Sequence, residues 1–328
     1  MQKNKKALKA LIIGISGQDG TYLADLLLNK GYTVIGTSRD AMMSSFSNLH
    51  KMNIREKIVI ESVSLNDFRS VLQVLKKYHP DEIYNLAGQS SVGLSFEQPV
   101  ETFESICVAI LNLLEAIRFL EIPARIYNAA SSECFGNTNG EPACETTRFH
   151  PRSPYAVAKS AAFWQVANYR EAYQMYACSG ILFNHESPLR PSRFVTSKII
   201  QTACRIANGS DEKLNLGNIS IKRDWGWAPE FVDAMWRMLQ QSTPRDYVVA
   251  TGQTSSLKEF IYETFALLGL DVDRYVRHSS DFERPTDINV SVADTTMAEK
   301  ELGWKAKFYM KDVVRMMVEA ELSRTKLK

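Results

Sequence analysis

The chain has 328 residues, of which 45% are apolar and 23% charged, and a formal net charge of +2 at pH 7. That balance suits a folded protein of one large or two modest domains, and so small a charge gives no chain-wide reason to expect nucleic acid or an anionic membrane as partner. No apolar run approaches the roughly 20 residues of a membrane-spanning helix, and the first apolar run leads into glycines rather than a cleavage site, so a cytoplasmic protein is expected.

Apolar runs then alternate with amphipathic stretches. ALIIG at 10–14, TVIGTS at 33–38, EIYNLA at 82–87, ARIYNAA at 124–130 and SGILF at 179–183 read as buried strands, with TYLADLLLNKG, DFRSVLQVLKKY and CVAILNLLEAIRFLE as helices between them. The alternation predicts an α/β fold, a Rossmann-like doubly wound parallel sheet covered on both faces. After about residue 184 the rhythm breaks: NHESPLRPSRF reads as a loop, KLNLG and DYVVAT as short strands, and the rest is mostly helical. The expected organisation is a dinucleotide-binding domain over 1–183, with a return segment near 220–250, and a smaller mixed α/β substrate lobe over 184–328.

Between the first strand and the first helix lies GISGQDG, with Gly14, Gly17 and Gly20 at three-residue spacing around Gln18 and Asp19. Glycines there let the backbone turn tightly and approach a pyrophosphate, whose charge rests against the helix N-terminus. Three glycines alone are often only a turn; the position after a strand and before a helix makes them a dinucleotide signal. Cofactor choice is read at the end of the second strand, GTSRD. A ribose-reading site carries an acid there, whereas a 2′-phosphate wants an arginine and a small hydroxyl. Ser38 and Arg39 point to NADP, while Asp40 can pair with Arg39 or hold a ribose hydroxyl itself, which keeps NAD open. Leu86 and Ala87, closing the EIYNLA strand, complete the predicted cofactor set.

Ser131, Ser132 and Glu133 follow the ARIYNAA strand, on the sheet edge where ligands bind in open α/β folds. Further on, Ser153 can N-cap a helix with Pro154 at its first position, so that Tyr155 and Lys159, four residues apart, share one helical face. A free tyrosine titrates near pH 10 and becomes a base at neutral pH only beside positive charge, which Lys159 and an oxidised nicotinamide supply. A Tyr-x-x-x-Lys step arises by chance about once in a chain of this size. With the glycine loop upstream and Ser131 at a strand end, it reads as an alcohol-oxidising set in which Tyr155 and Lys159 also touch the cofactor.

The segments GISGQDG, NLAGQSSVGLSFEQP, NAASSECFG, HPRSPYAVAK, SGILFNHESPLR, FVTSK, RDWGWAPEFVDAMW and ERPTDI stand in the order seen in GDP-mannose 4,6-dehydratases, extended short-chain dehydrogenase/reductases, which this chain resembles nearly end to end. The resemblance implies NADP, a GDP-mannose-like nucleotide sugar as substrate and a homo-oligomer, either a dimer or a tetramer joined in part through the loop corresponding to residues 41–52. It implies that Glu133 is the catalytic glutamate, that Ser131 stands where threonine is usual, and that Asn184, Lys198, Arg223 and Arg284 contact the GDP end. Two arginines and a lysine suit a diphosphate and a purine edge. The chain departs from the family pattern at Asp40, where an arginine is usual, at Ser64 for an aspartate, at Ser91 for a histidine, and at Cys134 and Phe135 beside Glu133.

Glu133 discriminates among functions. Oxidising a hexose C4 hydroxyl acidifies the C5 proton, and a nearby carboxylate can remove it while the C6 hydroxyl leaves as water. A 4-epimerase or 4-ketoreductase shares Tyr155 and Lys159 but has no need of Glu133, a related GDP-sugar such as a GDP-manno-heptose is an alternative substrate, and a non-catalytic nucleotide-binding subunit would not keep the whole set. Five cysteines without CxxC spacing, and His185 without a companion at ligand spacing, predict reduced thiols and no metal. Trp225, Trp227, Trp236, Met235 and Met238 read as core.

Overall fold

The computed structural model describes residues 7–282 and 284–326. Its strands, in chain order, are β1 (Lys9–Ile13), β2 (Thr33–Ser38), β3 (Val59–Ser62), β4 (Glu82–Asn85), β5 (Arg125–Ser131), β6 (Ala177–Leu182), β7 (Asn184–Glu186), β8 (Leu214–Leu216), β9 (Lys222–Trp227), β10 (Tyr247–Val249), β11 (Thr254–Ser256) and β12 (Val276–His278). Seven of them form one parallel sheet in the order β10-β6-β5-β4-β1-β2-β3. The chain winds outward from β1 to β3 and then returns to the other side of β1. The connections that leave the C-terminal ends of the paired neighbours β1 and β4 therefore run in opposite directions, which opens a crevice.

The expected Rossmann-like sheet is what forms. Five of its strands coincide with the apolar runs, because strands buried on both faces are nearly continuous in apolar residues. The third was not predicted: Val59–Ser62 has four residues, none fully buried, and its partner β2 lies on one side only. An edge strand lacks the long apolar signature.

The chain divides into two compact units, one of residues 1–134, 153–181 and 232–247, the other of 135–152, 182–231 and 248–328. Residues 135–152 and 232–247 interleave the two units along the chain. Residues 135–152 belong with the second unit because Thr138 N donates to Val290 O at 3.0 Å and Ala143 bridges Ala293.

In the first unit, Leu11, Ile13, Ile35, Ile83 and Ile126 of the sheet pack against Leu113, Leu114 and Ile117 of the helix Ala109–Phe119 and Ala158, Ala162 and Val166 of the helix Pro154–Tyr173. In the second, β7 and β11 flank β9, β8 pairs with β12, and Trp225, Phe260, Phe265, Val313 and Val314 form the core. Segment 184–194, expected to be a loop, begins with β7, and β9 was not predicted because its KRDWGW sequence carries charges that are nevertheless buried. Cys107, Cys134, Cys178 and Cys204 are buried free thiols and Cys144 is half-buried. Among the expected core residues, Trp225, Met235 and Met238 are buried, whereas Trp227 and Trp236 are half-buried. No helix of the described residues is long and apolar enough to cross a membrane.

Candidate active site

The glycine loop closes tightly between β1 and the helix Gln18–Asn29. Gly17 N donates to Gly14 O at 3.2 Å, and Thr21 Oγ1 donates to Gly17 O at 2.8 Å. Gly14 has φ +92°, and a methyl group there would meet Ala87 N at 3.0 Å and Leu86 C at 3.1 Å; one on Gly20 would clash with Gly14 O. Bare Cα atoms thus let the loop, the start of the helix and the Leu86–Ala87 turn after β4 come together at the crevice. Gly17 caps the helix without a side chain, leaving the positive end of the dipole for an anion, while Gln18 donates to Asp19 at 3.0 Å in the first turn. This cradle fits a dinucleotide pyrophosphate.

At the end of β2, Asp40 does not take Arg39 as its partner. Its Oδ1 accepts the backbone N–H of Met42 and of Met43, both at 2.9 Å, an aspartate-stabilised turn. Arg39 reaches Glu101 at 3.5 Å with 85% of its side chain exposed, and the Ser38 hydroxyl meets that of Ser44 at 2.9 Å.

The helix carrying Tyr155 starts as the sequence predicts. Ser153 is extended (φ −151°, ψ 159°), its hydroxyl accepts Ala156 N at 3.1 Å, and Pro154 opens the first turn. Lys159 and Tyr155 share a face, with the Lys159 Nζ 5.8 Å from the Tyr155 ring centre. That ammonium donates to Ala129 O of β5 at 2.7 Å, two residues before Ser131, so the helix is tied to the strand end. Burial pushes Lys159 down to about 8, against the opposing pull of Cys134 and Asp19. Ser131 is buried and its hydroxyl accepts Glu133 N at 3.3 Å. Glu133 is half-buried in the short helical turn Ser132–Phe135, and the buried thiol of its neighbour Cys134 contacts Ala156 O at 3.9 Å. Those contacts gather the four predicted residues at the C-terminal edge of one sheet.

The second unit has a cleft of about 550 Å³, lined by residues that include Asn218, His278, Phe282, Arg284 and Asp287. Arg284 and Arg223 both pair with Asp287 Oδ1, at 3.5 and 3.3 Å, and Arg223, 4% exposed, also donates to Ile288 O at 2.6 Å. Lys198 Nζ lies 3.6 Å over the Phe282 ring, donates to Asn215 O at 2.7 Å and is lowered in pKa by burial. Three of the four residues predicted for the GDP end are thereby linked to the cleft. Asn184 is not drawn into that cluster; it opens β7, paired in register with Trp225.

Sequence reasoning missed Asn218, Phe282 and Asp287. Asp287 had a signal, standing three residues after Arg284 with a complementary charge; the other two carried none outside the fold. His185 is buried, with Nδ1 2.7 Å from Phe183 O and its ring stacked at 4.5 Å on Phe231, the environment of a packed histidine.

The sequence model of the family described as "GDP-mannose 4,6 dehydratase" matches residues 11–317. "GDP-mannose 4,6 dehydratase 1" of Arabidopsis thaliana is 45% identical over 97% of this chain and 90% of its own length, and the "GDP-mannose 4,6 dehydratase" of Dictyostelium discoideum is 40% identical over 97% and 96%. Among solved structures, the dTDP-glucose 4,6-dehydratase of Bacillus anthracis in complex with NAD superposes with a TM-score of 0.85 at 16% identity, covering 98% of both chains. RMD from Pseudomonas aeruginosa, complexed with NADPH, does so at 0.80 and 21%, covering 97% of this chain and 100% of its own. These two speak for the fold alone. With a match of this extent and the glycine cradle, strand-end carboxylate and Tyr/Lys helix in one framework, the chain belongs to the GDP-mannose 4,6-dehydratase family.

Proposed function

We propose that the chain converts GDP-D-mannose to GDP-4-keto-6-deoxy-D-mannose, with NADP as cofactor and Ser131, Glu133, Tyr155 and Lys159 as its catalytic residues. The Lys159–Ala129 hydrogen bond carries this reading, because it ties the Tyr/Lys helix to the strand that ends in Ser131 and leads to Glu133. A nicotinamide cofactor held by the glycine loop and the Leu86–Ala87 turn, beside Tyr155 and Lys159, would supply the hydride acceptor for C4 and the hydride donor for C6. Tyr155 takes the C4 hydroxyl proton, helped by the positive charge of Lys159, while the Ser131 hydroxyl orients the C4 oxygen by hydrogen bonding. Glu133 removes the C5 proton made acidic by the new ketone and delivers a proton to the C6 hydroxyl, which leaves as water; once C6 has regained its hydride, C5 takes up a proton from solvent and Tyr155 gives up the one it took from the C4 hydroxyl. The net change is loss of one water without net oxidation.

Lys198, Arg223 and Arg284, with Asn184, bind the GDP end, and the cationic cleft of the second unit supports this assignment. Incubation with GDP-mannose followed by mass measurement tests the function: a product lighter by one water is expected. An unchanged mass with inversion at C4 would move the protein to the epimerases, and a change of two hydrogens at C4 to the reductases.

NADP is favoured over NAD by the turn after β2. Asp40 Oδ1 is held by backbone N–H groups, and the exposed Arg39–Glu101 pair stabilises the free protein little. Arg39 therefore has little to lose in turning to a 2′-phosphate. Arg39→Ala is expected to weaken NADPH binding by about 10-fold or more, the worth of a charge-assisted hydrogen bond, and to leave NADH binding nearly unchanged in fluorescence titrations. Equal losses would assign the ribose to another group.

Met42 and Met43, 90% and 83% exposed, lie in segment 41–52 and support self-association through it. At least a dimer, and in the fuller arrangement a tetramer, is expected by light scattering at micromolar concentration; a monomer contradicts this.

A further inference from the structure

The helical run from residue 99 to 119 is interrupted by a π-turn at Glu104–Val108, between the α-helical segments Pro99–Phe103 and Ala109–Phe119. Single π-turns hold one residue more than an α-helical turn, so they change which side chains share a face, and they concentrate at functional sites. Here the turn lies against the loop that follows β4. Gly88, at φ +133°, comes so close that a methyl group on it would meet Ile106 Cγ1 at 2.9 Å and Ser105 O at 3.3 Å. Gln89 N donates to Ser105 Oγ at 3.2 Å, and Gln89 Nε2 donates to Thr102 Oγ1 at 3.1 Å and to Ser91 O at 2.8 Å. The return bond from Ser91 N to Gln89 Oε1 closes a side-chain ring over the loop. Thr102 is fully buried and its hydroxyl is anchored on Gln98 O at 2.7 Å, while Ser105 Oγ donates to Thr102 O at 3.4 Å.

The same loop begins with Leu86 and Ala87, whose backbone lies against Gly14. One short segment is thus held from one side by the glycine loop and from the other by Thr102 and Ser105. We propose that Thr102 and Ser105 are positioning residues for the cofactor: through Gln89 they fix the loop after β4, and with it the Leu86–Ala87 wall of the dinucleotide cradle. Neither side chain need touch the cofactor. A surface hydroxyl in a long helix would be replaceable at no cost; this pair bonds Gln89, just beyond the cradle, with Ser105 offered from the π-turn and Thr102 from the α-helical turn before it.

This inference rests on the reading of the glycine loop as a dinucleotide site. The test is fluorescence titration of the full-length protein with NADPH, alongside amide hydrogen exchange at Gln89. Ser105→Ala is expected to raise the NADPH dissociation constant about 3- to 10-fold, the range for loss of one neutral hydrogen bond, and to speed exchange of the Gln89 amide. Ser105→Thr, which keeps the hydroxyl, should restore both. Thr102→Val, of nearly the same shape, should weaken binding similarly, and the double variant Ser105→Ala/Thr102→Val should lose less than the sum, since both act through Gln89. With saturating cofactor, turnover should stay near normal, which separates a binding effect from damage to the catalytic set. Dissociation constants within twofold of the unchanged protein in both folded single variants would overturn the proposal. If the unchanged protein binds no nicotinamide dinucleotide, the reading of the glycine loop fails first, and this inference with it.

Discussion

In a single turnover with GDP-mannose, Glu133→Gln is expected to build up a reduced-nicotinamide absorbance that persists, whereas the unchanged enzyme shows almost none. Glutamine keeps the size of the side chain and part of its hydrogen bonding but cannot take a proton. Of the chain's own groups, oxidation at C4 needs only Tyr155, Lys159 and Ser131, so with bound oxidised cofactor the hydride still leaves the sugar. The C5 proton then has no base, the C6 hydroxyl has no acid, and the only way back for the hydride is to C4, the reverse of the first step. General acid–base groups of this kind are worth on the order of 10²–10⁴ in rate, and the loss should fall on product formation rather than on the absorbance burst. Exchange of solvent deuterium into C5 should slow in parallel. Release of a 6-deoxy-4-keto sugar at the normal rate by this variant would assign elimination to another group.

Tyr155→Phe should act one step earlier and give the opposite spectral record. Without the phenol the C4 hydroxyl cannot pass on its proton, so no absorbance appears and turnover falls by about 10²–10⁴. Dinucleotide binding should persist, since the glycine cradle and the Lys159–Ala129 bond do not involve the phenol oxygen. Burial holds Lys159 near 8 in the free protein. Its charge is therefore complete below that value and lost above it, and the phenolate it favours loses that support as the pH rises through 8. A wild-type oxidation step that ignores pH across this window, or near-normal turnover in Tyr155→Phe, would remove the pair from the mechanism.

These two variants test residues that are legible in the sequence, and the reason is local chemistry. Ser153 and Pro154 encode a helix start in two residues, which fixes the phase of Tyr155 and Lys159 whatever surrounds them. Apolar runs encode β1, β2, β4, β5 and β6 because a strand buried on both faces leaves no polar alternation. What stayed hidden depends on the rest of the chain. Arg223 and Asp224 sit buried in β9 because Asp287, Ile288 O and Thr251 N meet them there, partners 27 to 65 residues away in sequence. The π-turn at 104–108 has no residue pattern of its own, and the cleft residues Asn218 and Phe282 are adjacent only after β8 and β12 have paired. Asp40, a rival of Arg39 in the sequence, serves its own loop, a contact of two and three residues that Asx-turn chemistry encodes locally.

The interleaving of the two units governs how the chain can be made. Strand β10, which borders β6 in the parallel sheet, comes 65 residues after it, since β6 ends at Leu182 and β10 begins at Tyr247. During synthesis β6 must therefore wait, with every residue destined for burial and one row of backbone N–H and C=O groups unmatched, while the intervening chain emerges. At roughly 5–20 residues per second that interval lasts several seconds, and an open apolar strand edge is a template for pairing with other chains. A nascent chain truncated at residue 183 is expected to collect in the insoluble fraction and to bind chaperones; a soluble, monomeric 1–183 fragment would show that the edge is guarded in some other way. Production of this enzyme is thus exposed to misassembly at one seam, and a slow or stalled ribosome between codons 183 and 247 would lengthen that exposure without altering a single residue.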